Sequence, residues 1–373
     1  MATDRLGLYV HIPYCVRKCN YCDFCSLPNG GAQVPEAYVD RITDEILSYS
    51  GRVNTPVDTV YFGGGTPSLL SPTQMARIVY TIRKSLNISP HSEWTLEVNP
   101  GTLTKEKVDA FFNLGFNRVS LGLQSIHENE MKILGRIHTF DEFISSYNML
   151  RDAGFGNISV DLMYGIPHQT LASFKKTLDT VISLSPEHIS VYGLIVEEGT
   201  PFYQWRESLP LPTLDDECDM YELAGRQLAA AGYEHYEISN YARDSYRSRH
   251  NSLYWRFGEY IGVGAAAHSF FGGHRYFNTD RVDEYIASSG ISVIQTPESE
   301  CDLEYECAML GLRLKEGVSL SDYESLFGHS FIDGKEQIIS RLEEAGLLTL
   351  DGDRLALTER GFYLSNSILV EIL

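Results

Sequence analysis

The chain has 373 residues, 43% of them hydrophobic and 21% charged, with 50 acidic against 30 basic side chains and a formal charge of −20. Such a length suits about two or three domains, or one barrel with a smaller unit attached, and such a composition buries a large core. No apolar run approaches the roughly 20 residues of a membrane span, the N-terminus does not read as a secretory signal, and the charge repels phosphate backbones; a membrane protein, a secreted protein and a nucleic-acid binder are set aside, and the cytoplasm is expected.

From residue 6 to about 240, β-rich runs alternate with segments of helical periodicity, which predicts repeated βα units around a parallel sheet. Strands are expected at 6–12, 57–62, 93–99, 117–123, 157–165, 187–195 and 233–239, with helices near 35–50, 72–87, 104–114, 139–153, 170–184 and 214–231. Ser71-Pro72 places a capping hydroxyl before a first-turn proline, Thr102 and Thr104 precede the third helix, and Gly115 and Gly154 stand where C-terminal glycines belong. The residues of chemical interest fall at the C-terminal ends of these strands. The expected fold is therefore α/β, an incomplete (β/α)6-type barrel spanning 1–240, with a doubly wound sheet as the alternative.

The aromatic, Gly-rich stretch 241–296 is expected to extend or cover the barrel mouth with little regular structure. Residues 297–373 then predict a small winged-helix-like α+β domain: a helix to about 314, helices near 319–327 and 334–345, a hairpin turning at Asp351-Gly352 and a final helix. Its acidity favours packing on the barrel or protein contact over DNA, so a DNA-binding regulator is set aside.

Seven cysteines in a reducing compartment point to metal or redox chemistry rather than to disulfides. Cys15, Cys19 and Cys22 follow the first strand with spacing C-x3-C-x2-C. Three thiolates on one loop suit an iron–sulfur cluster with one iron left open; a structural zinc site is the alternative, although no second ligand pair follows.

That cysteine spacing followed by GGGTP at 63–67 resembles the radical S-adenosylmethionine (radical SAM) superfamily. YVHIPYC, NYCDF, YFGGGTPS, EVNPG, SLGLQS, GRIH, DLMYGIPHQT, HNSLYW, GVGAAAHS and LTERGFYLSN resemble, in order, the branch holding oxygen-independent coproporphyrinogen III oxidase and the HemW heme chaperones, and this resemblance covers essentially the whole chain. It implies a [4Fe-4S] cluster on Cys15, Cys19 and Cys22, with the amine and carboxylate of SAM on the fourth iron. It also implies SAM contacts at Tyr9 and Tyr21, close backbone approach at Gly64, Gly65 and Thr66, acceptors at Glu97, Gln124 and Asp161, and a cationic fork at Arg136. Several of these match contacts to a second SAM in the oxidase. Taken singly, each has an ordinary reading as a loop, capping, surface or core residue, and their shared face is what gives them weight.

Cys25 departs from the oxidase pattern C-x3-C-x2-C-x-C, because two residues separate it from Cys22, and it is read as a spare thiol rather than a regulatory one or a ligand. His250, beside Tyr254 and Trp255, either ligates heme within an aromatic sandwich or makes a structural hydrogen bond while the rings pack on the barrel. His11 is read as a satisfied core histidine, and Cys218, Cys301 and Cys307 as packing residues on helices.

Two functions follow from the resemblance. One is a heme chaperone that binds the cluster, SAM and heme and transfers heme to acceptor, respiratory hemoproteins. The other is the oxidase, which decarboxylates propionates through a 5′-deoxyadenosyl radical. The oxidase carries an N-terminal arm longer than the 14 residues before Cys15, so the chaperone is favoured. Expected partners are heme or porphyrinogen, acceptor hemoproteins including membrane-bound ones, an electron donor for the cluster and a second copy of the chain, without nucleic acid.

Overall fold

The computed structural model describes residues 5–289, 295–297 and 302–373. Six strand–helix units follow in order: β1 (Leu6–Ile12), α1 (Glu36–Ser48), β2 (Val57–Gly64), α2 (Pro72–Ser85), β3 (Ile88–Val98), α3 (Lys105–Asn113), β4 (Arg118–Gln124), α4 (Phe140–Asp152), β5 (Ile158–Tyr164), α5 (Leu171–Leu184), β6 (His188–Gly193) and α6 (Leu214–Ala230). Capping boxes start four of the helices, through Ser71 with Gln74, Thr139 with Glu142, Thr170 with Ser173 and Thr213 with Asp216. In each, a hydroxyl and a longer polar side chain satisfy backbone N–H groups that the first turn leaves unpaired, so the loop leaving the preceding strand is anchored where its helix begins.

Side chains on β1 to β6 alternate between two environments, as the pleat requires. Val10, Phe62, Leu96, Leu121, Val160 and Ile189 join one buried apolar core that also contains Ile42, Ile78, Phe111 and Phe174 from the helices. Burying a large apolar side chain of this kind contributes ~1.5–3 kcal/mol. The intervening residues Tyr61, Thr95, Arg118, Ser120, Asp161 and Ser190 point the other way. The strand register pairs Tyr61 with Thr95, Thr95 with Arg118, and Asp161 with Ser190. The inner face of the barrel is consequently polar, and the apolar outer face lies under the helices.

The stretch 241–296 departs from expectation. It carries regular structure: β8 (Asn240–Ala242) begins just before it and follows β7 (Glu234–Glu237), and then come α7 (Arg249–Trp255), β9 (Tyr260–Val263), β10 (His268–Phe271), β11 (His274–Asn278) and β12 (Gln295–Pro297). The twelve strands form one sheet in the order β12-β11-β10-β9-β1-β2-β3-β4-β5-β6-β8-β7. β9 lies parallel to β1 with Tyr9 opposite Gly262, a parallel strand that was not foreseen, whereas the expected strand at 233–239 is β7 and pairs antiparallel with β8. Four residues are too few for a recognisable period, and the partner of β9 lies far away in sequence. Pairing of the remaining flanking strands is antiparallel, and the sheet ends at β12 and β7, so the incomplete barrel stays open.

The C-terminal part follows the expected order: α8 (Leu303–Gly311), β13 (Val318–Ser319), α9 (Leu320–Phe327), α10 (Glu336–Glu344), the hairpin β14 (Leu348–Asp351) and β15 (Arg354–Leu357), and two terminal helices. Its core takes in Tyr221 of α6 and packs against Tyr164 at the end of β5, with Cys307 at its edge. Cys218 is half-buried on α6, and Cys301 lies outside the described residues. Among the described residues no helix is long and apolar enough to cross a membrane.

Candidate functional site

The C-terminal ends of the barrel strands surround a cavity of ≈ 380 Å³ whose walls include Cys15, Cys19, Cys22, Tyr21, Gly64, Gly65, Thr66, Glu97, Gln124, Arg136 and Asp161. The cysteines ride on a loop that leaves β1 and returns beside it. Tyr14–Cys15 and Leu27–Pro28 form a short parallel ladder, and Asn29 N–H donates to the Cys15 carbonyl at 2.8 Å. His11 closes the loop from below: Nε2 lies 2.9 Å from the Cys25 carbonyl and Nδ1 lies 3.0 Å from the Tyr9 hydroxyl. A carbonyl only accepts, so Nε2 carries the proton and Nδ1 accepts from Tyr9. Burial lowers the pKa of His11, which favours this neutral ring.

The glycine loop reaches the cysteine loop through backbone. A Cβ on Gly65 would lie 2.8 Å from the Tyr14 carbonyl oxygen and 3.0 Å from Cys15 Sγ, so only glycine admits this approach. Thr66 Oγ1 donates to Cys15 Sγ at 3.4 Å, while the Asn99 amide donates to Thr66 Oγ1 at 2.7 Å. Arg136 donates to Asn99 Oδ1 at 3.0 Å and to the Gly122 carbonyl at 3.2 Å, with Cys19 Sγ 3.9 Å from Nη1. Gly122 makes room for it, since a Cβ there would meet Arg136 Nη2 at 2.6 Å.

Two carboxylates face the cavity in different surroundings. Glu97 accepts from the Tyr61 hydroxyl at 2.8 Å and from Gly64 N–H at 3.2 Å, yet burial outweighs both bonds and lifts its pKa to about 7. Asp161 accepts from the Ser120 hydroxyl at 2.9 Å, and burial raises its pKa as well. Gln124 takes a left-handed backbone conformation, φ 70°, where the β4–β5 register shifts between Gly122 and Gln124. A non-glycine residue held in that conformation at a bulge marks a strained strand end, of the kind that re-aims side chains beside functional sites.

Residues 9–181 match the Radical SAM superfamily, and residues 301–364 match the HemN C-terminal domain. The chain is 36% identical to the heme chaperone HemW of Lactococcus lactis, over 98% of this chain and 96% of that one. It is 36% identical to HemW of Bacillus subtilis, covering 96% and 97% of the two chains, and 35% identical to HemW of Escherichia coli, covering 98% and 97%. Its fold is similar to that of the coproporphyrinogen III oxidase HemN from Escherichia coli, with a TM-score of 0.82 at 23% identity over 98% of this chain and 89% of that one. The chain belongs to the HemW family.

Membership in the radical SAM superfamily implies a [4Fe-4S] cluster and SAM. The cavity described above suits them, because three thiols, a backbone cradle, carboxylates and one guanidinium converge on it. Among the described residues no group of three or more His, Cys, Asp or Glu is drawn together around a single metal ion. Cys25 is not in the cavity wall; its thiol points to the Asp280 carbonyl at 3.4 Å.

Two expected site residues lie elsewhere. Tyr9 is not part of the cavity wall; its ring stacks on Tyr61 at 6.1 Å, and its hydroxyl serves His11. His250 is 1% exposed, with Thr59 Oγ1 2.7 Å from Nδ1 and the Tyr254 hydroxyl 2.6 Å from Nε2. Burial and the nearby Arg118 push its pKa down to about 3. With both nitrogens engaged inside the barrel, His250 has no lone pair to offer a heme iron, and the structural reading prevails. Asn99, Tyr61 and Ser120, which orient Arg136, Glu97 and Asp161, were not singled out from sequence. Their signal was the inward, polar parity of β2 to β4 and the Asn in EVNPG.

Proposed function

We propose that this chain is a heme chaperone that holds a [4Fe-4S] cluster on Cys15, Cys19 and Cys22, binds SAM in the adjoining cavity, and carries heme to acceptor hemoproteins. The observation that carries this reading is near-complete coverage of HemW proteins at 36% identity, whereas the oxidase HemN shares the fold at 23%. When bound together, cluster and SAM supply one-electron chemistry, which calls for an electron donor as a partner. Phe24, 63% exposed, stands at the cavity beside Arg17 and Lys18, an apolar ring flanked by cations that suits a flat, anionic macrocycle. A cytoplasmic location accords with the six free cysteines among the described residues.

Heme titration of the anaerobically reconstituted protein, run beside a coproporphyrinogen turnover assay, tests the proposal. Stoichiometric heme binding without turnover is expected, and turnover without heme binding would reverse the assignment. In the same titration His250→Ala is expected to keep the wild-type heme spectrum. It should lose about 1–3 kcal/mol of stability in denaturant melts, because Thr59 and Tyr254 lose a buried partner. A lost or shifted Soret band would restore His250 as a heme ligand.

In this reading Glu97 faces the cationic part of SAM. A carboxyl with its pKa raised to about 7 is neutral below that pH and charged above it. SAM affinity is therefore expected to rise about tenfold from pH 6 to pH 8, as one proton is released on binding. In Glu97→Gln this slope should vanish; isothermal titration at several pH values would reveal a persisting slope if another group is responsible.

A further inference from the structure

We propose that His138 is a positioning residue for Arg136 and acts through a single water molecule held between them. His138 closes the GRIH segment and is 7% exposed. Among the described residues its Nε2 is buried with no hydrogen-bond partner, and so is Nε of Arg136. Both residues line one small cavity of ≈ 30 Å³, whose wall also includes Cys19, Thr66, Asn99 and Thr102. About 10–15 Å³ of such space is enough to admit a water molecule, which needs two to four polar partners, so this cavity has room for one.

The two unpartnered atoms are complementary. Arg136 Nε always carries a proton and can only donate. Burial and the neighbouring guanidinium lower the pKa of His138 to about 3, so the ring is neutral, and a hydrogen bond to the Leu123 backbone opposes that shift only in part. A backbone carbonyl binds the protonated nitrogen of a neutral ring, which leaves the lone pair on Nε2. One water then accepts from Arg136 and donates to His138. Direct replacement of the water by a protonated His138 would set two cations side by side.

The consequence lies in the main cavity. Asn99, the Gly122 carbonyl and Cys19 engage Nη1 and Nη2 of Arg136. The water at Nε completes the set and fixes the plane of the guanidinium, which leaves one Nη2 proton for a carboxylate-bearing ligand. This inference rests on the reading of the cavity as a SAM site.

The test uses the full chain with its cluster reconstituted, and follows SAM binding through the change in the EPR spectrum of the reduced cluster. His138→Leu removes the acceptor at similar volume and is expected to weaken SAM binding about tenfold, the loss of one charge-assisted hydrogen bond, with iron content unchanged. His138→Gln keeps an acceptor and should recover most of that affinity with a wild-type spectrum. Equal affinity in wild type and His138→Leu overturns the proposal, as does a Gln variant no better than Leu. Absence of an ordered water between Arg136 and His138 in a high-resolution crystal structure of the unaltered protein also overturns it, whether or not either variant folds. A wild-type protein that binds heme but no SAM removes the cavity reading itself, and the proposal with it.

Discussion

Cys19→Ser, reconstituted anaerobically with iron and sulfide, is expected to lose the visible absorbance of the cluster and the binding of SAM to it, while Cys25→Ser keeps both. Cys19 lies in the cavity wall with Cys15 and Cys22, whereas Cys25 points its thiol at the Asp280 carbonyl. A serine hydroxyl is a hard, protonated donor at neutral pH and replaces a thiolate on iron poorly; two remaining thiolates do not retain the cluster. The fold should survive, because among the described residues Cys19 Sγ accepts only the long 3.9 Å contact from Arg136. Thermal melts of the apoproteins within ~1 kcal/mol of wild type would establish that. Retained absorbance in Cys19→Ser, or its loss in Cys25→Ser, would reassign the ligands.

Gly65→Ala is expected to damage the site with a single methyl group. The new Cβ would stand 2.8 Å from the Tyr14 carbonyl oxygen, 2.9 Å from the Pro13 carbonyl carbon and 3.0 Å from Cys15 Sγ, two of which are backbone atoms with no rotamer to yield. Gly65 N–H also donates to the Ile12 carbonyl at 2.8 Å, so the glycine loop cannot retreat without breaking its hold on β1. Overpacking of this kind costs ~1–3 kcal/mol, and relief must come from moving the segment that carries Cys15. Iron content per chain and thermal stability should both fall. Gly156→Ala is the control, since a Cβ there meets nothing within 4 Å, and it should stay within ~0.5 kcal/mol of wild type with full iron content. Normal iron loading in Gly65→Ala would show that the two loops are not packed as described.

Much of this is legible in the sequence. β1 to β6 appear where alternating β-rich runs predict them, because a strand with one face under helices and one face in a polar lumen writes period two into its own residues. Ser71, Thr104 and Gly115 mark helix ends through chemistry confined to three or four neighbours. Cys15, Cys19 and Cys22, held on one loop, are likewise local.

Contacts between distant segments were not readable in this way. β9 is four residues long and gains its meaning from pairing with β1; His250 shows both nitrogens engaged only once Thr59 and Tyr254 are brought to it. His11 is the buried, satisfied histidine expected, but its partner at the Cys25 carbonyl is known only once the loop it closes comes back beside it. Local periodicity and capping are encoded over a few residues and survive in the linear order. Hydrogen-bond partners, the packing of Gly65 on Tyr14 and the rise of the Glu97 pKa depend on groups that folding alone makes neighbours, and burial then sets their strength.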